Sequence, residues 1–430
     1  MTDRIRALMD SVHPRTARQR TAAIAVAILL FSAVSIFSTN GYYYGVSDHS
    51  ITVPFLKASI NPELYPGDYL LAQKAFNYTF FWELLALLVD ATGVSIQVLF
   101  FLFYLAALYA TFLAVYLVAM ALFGRVDVAF LSMFFFLFSA PTLGGVKTID
   151  PLLNTRLVAT PVLLFALYYF LKERYRTSYF LQGFSFLIHP LSALYTFVML
   201  LAATIPALRT IGFRRFLGCI GIFTLAAAPV LAWRLLYVPD GASFFEIDQE
   251  WLALMQVRNS DHAFPFWFNG WLFLRAAIVM GLFFLSWRRP PSFGKHRVVR
   301  SATAAVLVMF LLGTLFTELY PTYGVIQLQL FRSFKFLVFL AAIYAANFIL
   351  AELRENRGLA AQLVAGLIPF GILSTGPSRR ARRTSARRRW PSSSWVTWQC
   401  AARGPAPPTA WGRSSRWPWR CCSGTSTGWI

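Results

Sequence analysis

The chain has 430 residues, of which 57% are hydrophobic and 13% charged, and its formal net charge is +21. Only four cysteines are present and three of them lie after residue 374, which excludes a disulfide framework and a zinc motif. The hydrophobic residues are gathered into long stretches, a pattern typical of an integral membrane protein rather than a soluble globular one.

Eleven apolar stretches follow one another along the chain, and they predict an all-α, polytopic membrane helix bundle of about 11 spans. They cover approximately residues 21–37, 94–123, 128–140, 157–171, 179–190, 191–208, 216–238, 267–287, 301–318, 336–351 and 359–373. Several are shorter than the roughly 20 residues that a perpendicular helix needs, which predicts tilted, paired or re-entrant helices. We therefore divide the chain into a basic N-terminal segment (1–20), a membrane domain (21–374) and a tail (375–430).

The lysines and arginines are distributed unevenly between the loops. If residues 1–20 are cytoplasmic and each stretch crosses once, the inner loops hold 19 of these residues and the outer loops hold seven. Because cationic loops are retained in the cytoplasm during insertion, this predicts a protein of the inner (plasma) membrane with a cytoplasmic N-terminus. Twelve of the 18 acidic residues fall on the outer side. Either the outer loops simply need polar residues, or the outer face is built for chemistry or cation binding.

The first outer loop, from Ser38 to about Val89, has two runs of apolar residues at helical spacing, separated by the turn "NPELYPGD". This predicts two short interfacial helices, with Asp48 and His49 at the start of the first. A second long outer loop, residues 239–265, also begins as an amphipathic helix and ends with another Asp-His pair that includes His262.

Further along, His189 in "FLIHP" stands at a proline that must interrupt a membrane helix. Interrupted helices in membranes often line cavities, so His189 either contacts a substrate or satisfies a freed backbone carbonyl.

A first span that enters from the cytoplasm, followed by a large outer loop with an acidic residue and interfacial helices, resembles the GT-C superfamily of membrane glycosyltransferases. The segments "SDHSITVPFLKASINPELYPGDYL", "FLIHPLSALYTF" and "LQLFRSFKFLVFL" also resemble a group of bacterial multi-span proteins. GT-C enzymes use polyprenyl-phosphate-linked sugars at the outer membrane face. The resemblance therefore implies Asp48 as catalytic base or metal ligand and Asp150 as the second acidic residue. The chain departs from the family where His49, rather than an acidic residue, follows Asp48.

Glycosyl transfer from a lipid phosphate needs a base for the acceptor hydroxyl and cations for the phosphate leaving group. Asp48 is the candidate base, and its alternative role is to cap the helix that follows it. Arg156, Arg332 and Lys335 are outer-side cations at span ends, where they would either bind the phosphate or reach to lipid headgroups.

His49, Asp150, His189 and His262 complete the set of candidate substrate contacts. Whether a divalent metal binds between Asp48 and Asp150 stays open, because sequence spacing does not show whether the two carboxylates converge. The expected partners are a polyprenyl-phosphate-linked sugar and membrane lipids. The alternatives are a transporter or lipid flippase, although the stretches show no internal repeat, or a membrane protein without catalytic activity.

Residues 375–430 contain 11 Arg and seven Trp and no Lys, Asp or Glu. This low-complexity composition is typical of a GC-rich gene read out of frame, and it predicts a disordered tail that begins at a frameshift near Thr375. The alternative is a genuine basic tail that binds anionic lipid or nucleic acid. Most of the remaining positive charge follows from the loop distribution, so we predict no nucleic-acid partner.

Overall fold

The computed structural model describes residues 16–37, 41–68, 71, 79–237 and 244–355. Every regular element in these ranges is helical, and the only extended pairing within them is an isolated bridge between Pro141 and Lys147. The all-α class is therefore confirmed for this part of the chain. The eleventh predicted span, the tail 375–430 and residues 1–15 of the basic N-terminal segment lie outside the described residues.

The described helices follow the predicted order. They are α1 (Ala17–Ser35), α2 (His49–Ile60), α3 (Phe81–Thr92), α4 (Ile96–Phe123), α5 (Val126–Phe135), α6 (Thr155–Leu171), α7 (Tyr175–Ile188), α8 (Pro190–Thr204), α9 (Leu208–Ile211), α10 (Phe213–Tyr237), α11 (Gln249–Arg258), α12 (Ser260–Ala263), α13 (Gly270–Ser286), α14 (Phe293–Thr314), α15 (Tyr323–Leu328) and α16 (Phe334–Arg354). Each of the first ten apolar stretches coincides with a helix, and the two helices predicted for the first outer loop are α2 and α3.

Six helical segments are long and apolar enough to cross a membrane, counting only the described residues. They are Ala17–Ser35, Ile96–Phe123, Pro190–Ala207, Phe213–Leu236, Phe293–Leu319 and Tyr323–Arg354. Three shorter apolar helices, α5, α6 and α13, add to them. These helices indicate a multi-pass membrane protein, whereas a total of about 11 spans stays a prediction.

Helix α16 forms the centre of the bundle. All of its residues from Phe334 to Ile349 are buried, and it packs against α5 and α13. A helix that is apolar on all faces must be covered by lipid or by protein, and α16 is covered by protein. Its first turn carries Lys335, so the central position of α16 buries an ammonium group within the protein.

The far end of α16 is held by ion pairs. Arg354 and Arg125 both bind the Asp127 carboxylate, at 2.7 and 2.8 Å. Arg289, just after α13, binds Glu352 at 3.3 Å. These contacts join the ends of α5, α13 and α16, and they fix the central helix opposite the end that carries Lys335.

Candidate functional site

The chain between α5 and α6 forms a tight turn that places Asp150. The Thr142 amide donates to the Val146 carbonyl (2.8 Å), and the Thr148 amide donates to the Ala140 carbonyl (2.9 Å). These two bonds pair the arms of the turn through the bridge described above. Asp150 follows the second arm and is nearly buried, with 8% of its side chain exposed.

Arg156 lies in the first turn of α6, which begins where Asn154 accepts a hydrogen bond from the Leu157 amide (2.8 Å). Its guanidinium group binds Asp150 through two bonds of 3.1 Å each, one to each carboxylate oxygen. Burial alone would raise the pKa of the Asp150 carboxyl. The charges of Arg156 and Lys335 outweigh burial and hold that pKa below its usual value, so Asp150 is a carboxylate.

Asp48 approaches the same guanidinium group from the first outer loop. One carboxylate oxygen lies 3.9 Å from Arg156 Nη2, and about half of the Asp48 side chain (51%) is exposed. Asp48 stands at the cap position of α2, yet its side chain makes no capping hydrogen bond. The backbone at Asp48 is already helical (φ −55°, ψ −26°), which is not the extended conformation of a capping residue. The capping role is therefore not realised, and Asp48 and Asp150 converge on Arg156.

Lys335 lies close to this ion pair, and its charge acts on Asp150. Lys335 is 2% exposed, and Nζ has no hydrogen-bond partner and no ion pair among the described residues. Arg332 Nε is likewise buried without a partner there. In the part of the chain that the structure describes, Lys335 Nζ and Arg332 Nε thus lie near the Asp150–Arg156 pair without a hydrogen-bond partner. A buried cation in this state is unfavourable, because it has lost its hydrogen bonds to water and has gained no hydrogen bond in exchange.

A break before α16 positions these two cations. Helix α15 ends at Leu328, the next residue Gln329 has a left-handed backbone (φ 47°), and a single 3-10 turn carrying Arg332 follows. The Tyr195 hydroxyl of α8 donates to the Leu328 carbonyl at 2.6 Å and holds the break in place. Sequence analysis did not identify Tyr195 or Gln329, because nothing local distinguishes either residue.

His262 connects the second outer loop to the same region. Its Nδ1–H donates to the Gly144 carbonyl (2.9 Å). Burial lowers the pKa of His262 to about 4, and the nearby charge of Arg332 adds to this effect, so the imidazole is neutral near pH 7.

The turn between α5 and α6 packs closely against Arg332 and His262. This packing depends on two glycines with left-handed backbones, Gly144 (φ 74°) and Gly145 (φ 68°). A Cβ at Gly144 would lie 2.7 Å from the Arg332 amide nitrogen, and one at Gly145 would lie 2.5 Å from His262 Nδ1. The glycine pair in "GGVKTID" was a signal that sequence analysis left unused.

His49 has a structural environment. The side chain is 1% exposed. The Gly45 amide donates to Nδ1 (3.1 Å), and Nε2–H donates to the Leu153 carbonyl (2.7 Å). Both ring nitrogens are therefore engaged in hydrogen bonds within the protein. This geometry favours a structural role for His49, which links α2 to the loop before α6, over contact with a substrate.

His189 lies at the break between α7 and α8, as predicted from Pro190. Its Nδ1 accepts a hydrogen bond from the Ser192 amide (3.0 Å) and so caps α8. The carbonyls exposed by the break, those of Leu187 and Ile188, accept instead from the Thr79 hydroxyl. This differs from the predicted structural role, in which the histidine itself satisfies a freed carbonyl.

A cavity of about 210 Å³ opens beside these residues. Its walls include Thr52 and Phe55 of α2, Thr155 next to Arg156, and His189. Asp48, Arg332 and Lys335 are not part of the lining. The structure thus groups six of the predicted site residues into one charged cluster: Asp48, Asp150, Arg156, Arg332, Lys335 and His262. His189 lies instead on the wall of the adjacent cavity.

Within the described residues, no group of three or more His, Cys, Asp or Glu side chains has the arrangement of a metal site. The positive charge between Asp48 and Asp150 is the guanidinium group of Arg156. The two carboxylates do converge, but an arginine side chain stands where a bridging metal ion would be expected.

The fold and the site together define an all-helical, multi-pass membrane protein with a charged cluster at one end of its bundle. No family model, curated protein sequence or solved structure matches the chain.

Proposed function

We propose that the chain is a GT-C-like glycosyltransferase that takes a sugar from a polyprenyl-phosphate donor at the outer membrane face. Asp48 serves as the base for the acceptor hydroxyl. Arg332 and Lys335, with Arg156, hold the phosphate. The donor lipid and the orientation come from the sequence resemblance and the loop charges, and the contacts within the site support the assignment of roles.

The observation that carries the proposal is the buried ammonium group of Lys335, which has no partner among the described residues. Arg332 Nε is in the same state. A phosphate oxygen would supply the missing acceptor to both groups, and Arg is suited to bind two phosphate oxygens at once. Charges fixed in place before substrate arrives are what a phosphate leaving group needs, because they cost no rearrangement during the reaction.

Asp48 has the properties of a base that meets a soluble or lipid-borne acceptor. It is half exposed, whereas Asp150 is buried and fully paired by Arg156. The distance of 3.9 Å between Asp48 and Arg156 Nη2 is longer than a hydrogen bond, so the carboxylate keeps its lone pairs for a hydroxyl. The roles therefore divide: Asp150 orients Arg156, and Asp48 takes the proton.

The position of the cavity favours an enzyme over a transporter. Its lining comes from α2, α3, the start of α6 and the junction of α7 with α8, all at the end of the bundle that carries the charged cluster. A transporter needs a binding site near the middle of the membrane that alternates between both sides.

The test is transfer of radiolabelled sugar from a panel of polyprenyl-phosphate donors by the purified full chain in lipid nanodiscs. Asp48→Asn should lower the rate by about 100-fold or more, the usual range for loss of a general base. The matched control is Asp68→Asn, in the same loop, where the carboxylate accepts a hydrogen bond from the Leu71 amide (3.1 Å). Absence of transfer with every donor, or equal rates for Asp48→Asn and Asp68→Asn, would refute the proposal.

A further inference from the structure

A second and larger concavity, with a volume of about 700 Å³, lies at the other end of α6 and α7. Four arginines contribute to its walls: Arg174 and Arg176 at the start of α7, Arg215 at the start of α10, and Arg297 in α14. The set therefore comes from three helices that are far apart in sequence. We call this concavity the arginine cleft.

The arginine cleft is separate from the candidate transferase site. Helix α6 has Arg156 in its first turn and ends at Leu171, two residues before Glu173 at the edge of the cleft. At about 1.5 Å per residue, the 15 steps from Arg156 to Leu171 rise roughly 22 Å along the helix. The predicted topology places the cleft on the cytoplasmic side and the transferase site on the outer side.

The charges in the cleft are unbalanced. Among the described residues that line it, Glu173 is the only carboxylate, against four guanidinium groups. None of the four arginine side chains forms an ion pair or hydrogen bond within the described part of the chain. The start of α7 adds to the positive potential, because Arg174 at its cap position provides no side-chain cap for the free amides of the first turn.

Arginines at span ends often fan outward to the lipid headgroups, where each acts alone. These four instead surround one concavity, and a concave surface of one charge focuses the field on whatever enters it. Less polar side chains line the deeper part of the cleft: Ile211 and Cys219 are buried, and Tyr175 is half-buried. A cationic rim above an apolar floor matches a ligand with an anionic head and an apolar part.

We propose that the arginine cleft binds a phosphate group, presented by an anionic phospholipid headgroup or by a free phosphate. Guanidinium groups bind phosphate oxygens in pairs, and four of them exceed what a single phosphate needs to be neutralised. This site does not depend on the proposed transferase reaction.

The experiment measures binding to the purified full chain by native mass spectrometry and by thermal stabilisation in detergent. The probes are phosphatidylglycerol, phosphatidylcholine and inorganic phosphate. The test variant is Arg215→Gln with Arg297→Gln, and the matched control is Arg209→Gln with Arg214→Gln. The control changes the net charge equally at neighbouring positions that do not line the cleft.

Phosphatidylglycerol should bind more tightly than phosphatidylcholine, and the test variant should weaken its binding by about tenfold or more, while the control changes it less than about twofold. Stabilisation by inorganic phosphate alone, lost in the same variant, supports the proposal and identifies a soluble ligand as the source. Equal weakening in both variants, or no saturable binding of either phosphate probe, would overturn it.

Glu173→Gln provides a test that misfolding cannot imitate. This change removes the Glu173 carboxylate from the cleft and nearly preserves the shape of the side chain. It should tighten phosphatidylglycerol binding by about two- to threefold, because one repulsive charge is lost at the rim. Unchanged or weaker binding in Glu173→Gln would contradict the electrostatic basis of the site.

Discussion

Arg156 holds Asp150 with two hydrogen bonds of 3.1 Å, one to each carboxylate oxygen, so that a nearly buried aspartate and a nearly buried arginine neutralise each other. The two are six positions apart in sequence, and Asn154 caps the start of α6 between them. The pair forms the fixed base of the charged cluster, and Asp48, Arg332 and Lys335 lie around it.

Asp150→Asn should destabilise the protein strongly, because it leaves the Arg156 guanidinium buried beside two other cations. Removal of one partner from a buried pair usually costs about 3–5 kcal/mol. Denaturant unfolding in mild detergent measures the change. Asp68→Asn, where the carboxylate is exposed, should cost less than about 1 kcal/mol. Equal stability of Asp150→Asn and the wild type would show that the pair contributes nothing.

Lys335→Met should separate ligand binding from stability. Methionine fills a similar volume without a charge, so the unliganded protein should melt at the same temperature as the wild type or higher, since an unpaired buried ammonium is unfavourable. Stabilisation by a short-chain polyprenyl monophosphate should disappear. Thermal unfolding with and without the lipid measures both effects. Full lipid stabilisation in Lys335→Met would exclude Lys335 from the phosphate site.

The predictability of this site from sequence differs between its parts. Ten apolar stretches predicted ten helices correctly, because hydropathy is a property of each segment alone. The positions of Arg156, Arg332 and Lys335 at the ends of apolar stretches identify them as candidate phosphate ligands from sequence alone. The pairing of Asp150 with Arg156 was not predictable, because it depends on the turn before α6.

The roles of His49 and Gly144 also depend on distant parts of the chain. His49 binds a carbonyl about 100 residues away at Leu153, and Gly144 is required by the backbone of Arg332. The local sequence around His49 or Gly144 does not predict such distant partners. The same Asp-His pattern stands at the start of α2 and within α12, yet the first histidine is buried with both nitrogens bonded and the second is only partly buried.

Gly144→Ala should destabilise more than Gly124→Ala. Both glycines have a left-handed backbone (φ 74° and 67°), so both variants carry the same strain of about 1–2 kcal/mol. Only at Gly144 would the new Cβ also meet the Arg332 backbone, whereas nothing lies within 4 Å at Gly124. Overpacking adds about 1–3 kcal/mol, so the difference is measurable by chemical unfolding. Equal losses would mean that the turn does not pack closely on Arg332.

His262 should make the protein less stable as the pH falls from about 6.5 towards 4. Burial and the charge of Arg332 lower its folded-state pKa to about 4, below the unfolded value of 6.5. Protonation therefore favours the unfolded chain, and stability is complete above pH 6.5 and declines below it. His262→Gln should flatten the pH dependence of the melting temperature in this window. An unchanged slope in the variant would assign the dependence to other groups.

The proposed reaction requires a particular orientation, with Asp48 at the outer face, and the same topology predicts the arginine cleft in the cytoplasm. Cysteine accessibility in whole cells measures this directly, in a chain where Cys219, Cys400, Cys421 and Cys422 are replaced by serine. A membrane-impermeant maleimide should label Ser47→Cys in intact cells, and it should label Thr177→Cys only after the membrane is opened. Labelling of Thr177→Cys but not Ser47→Cys in intact cells would contradict the orientation and, with it, the outer-face reaction site.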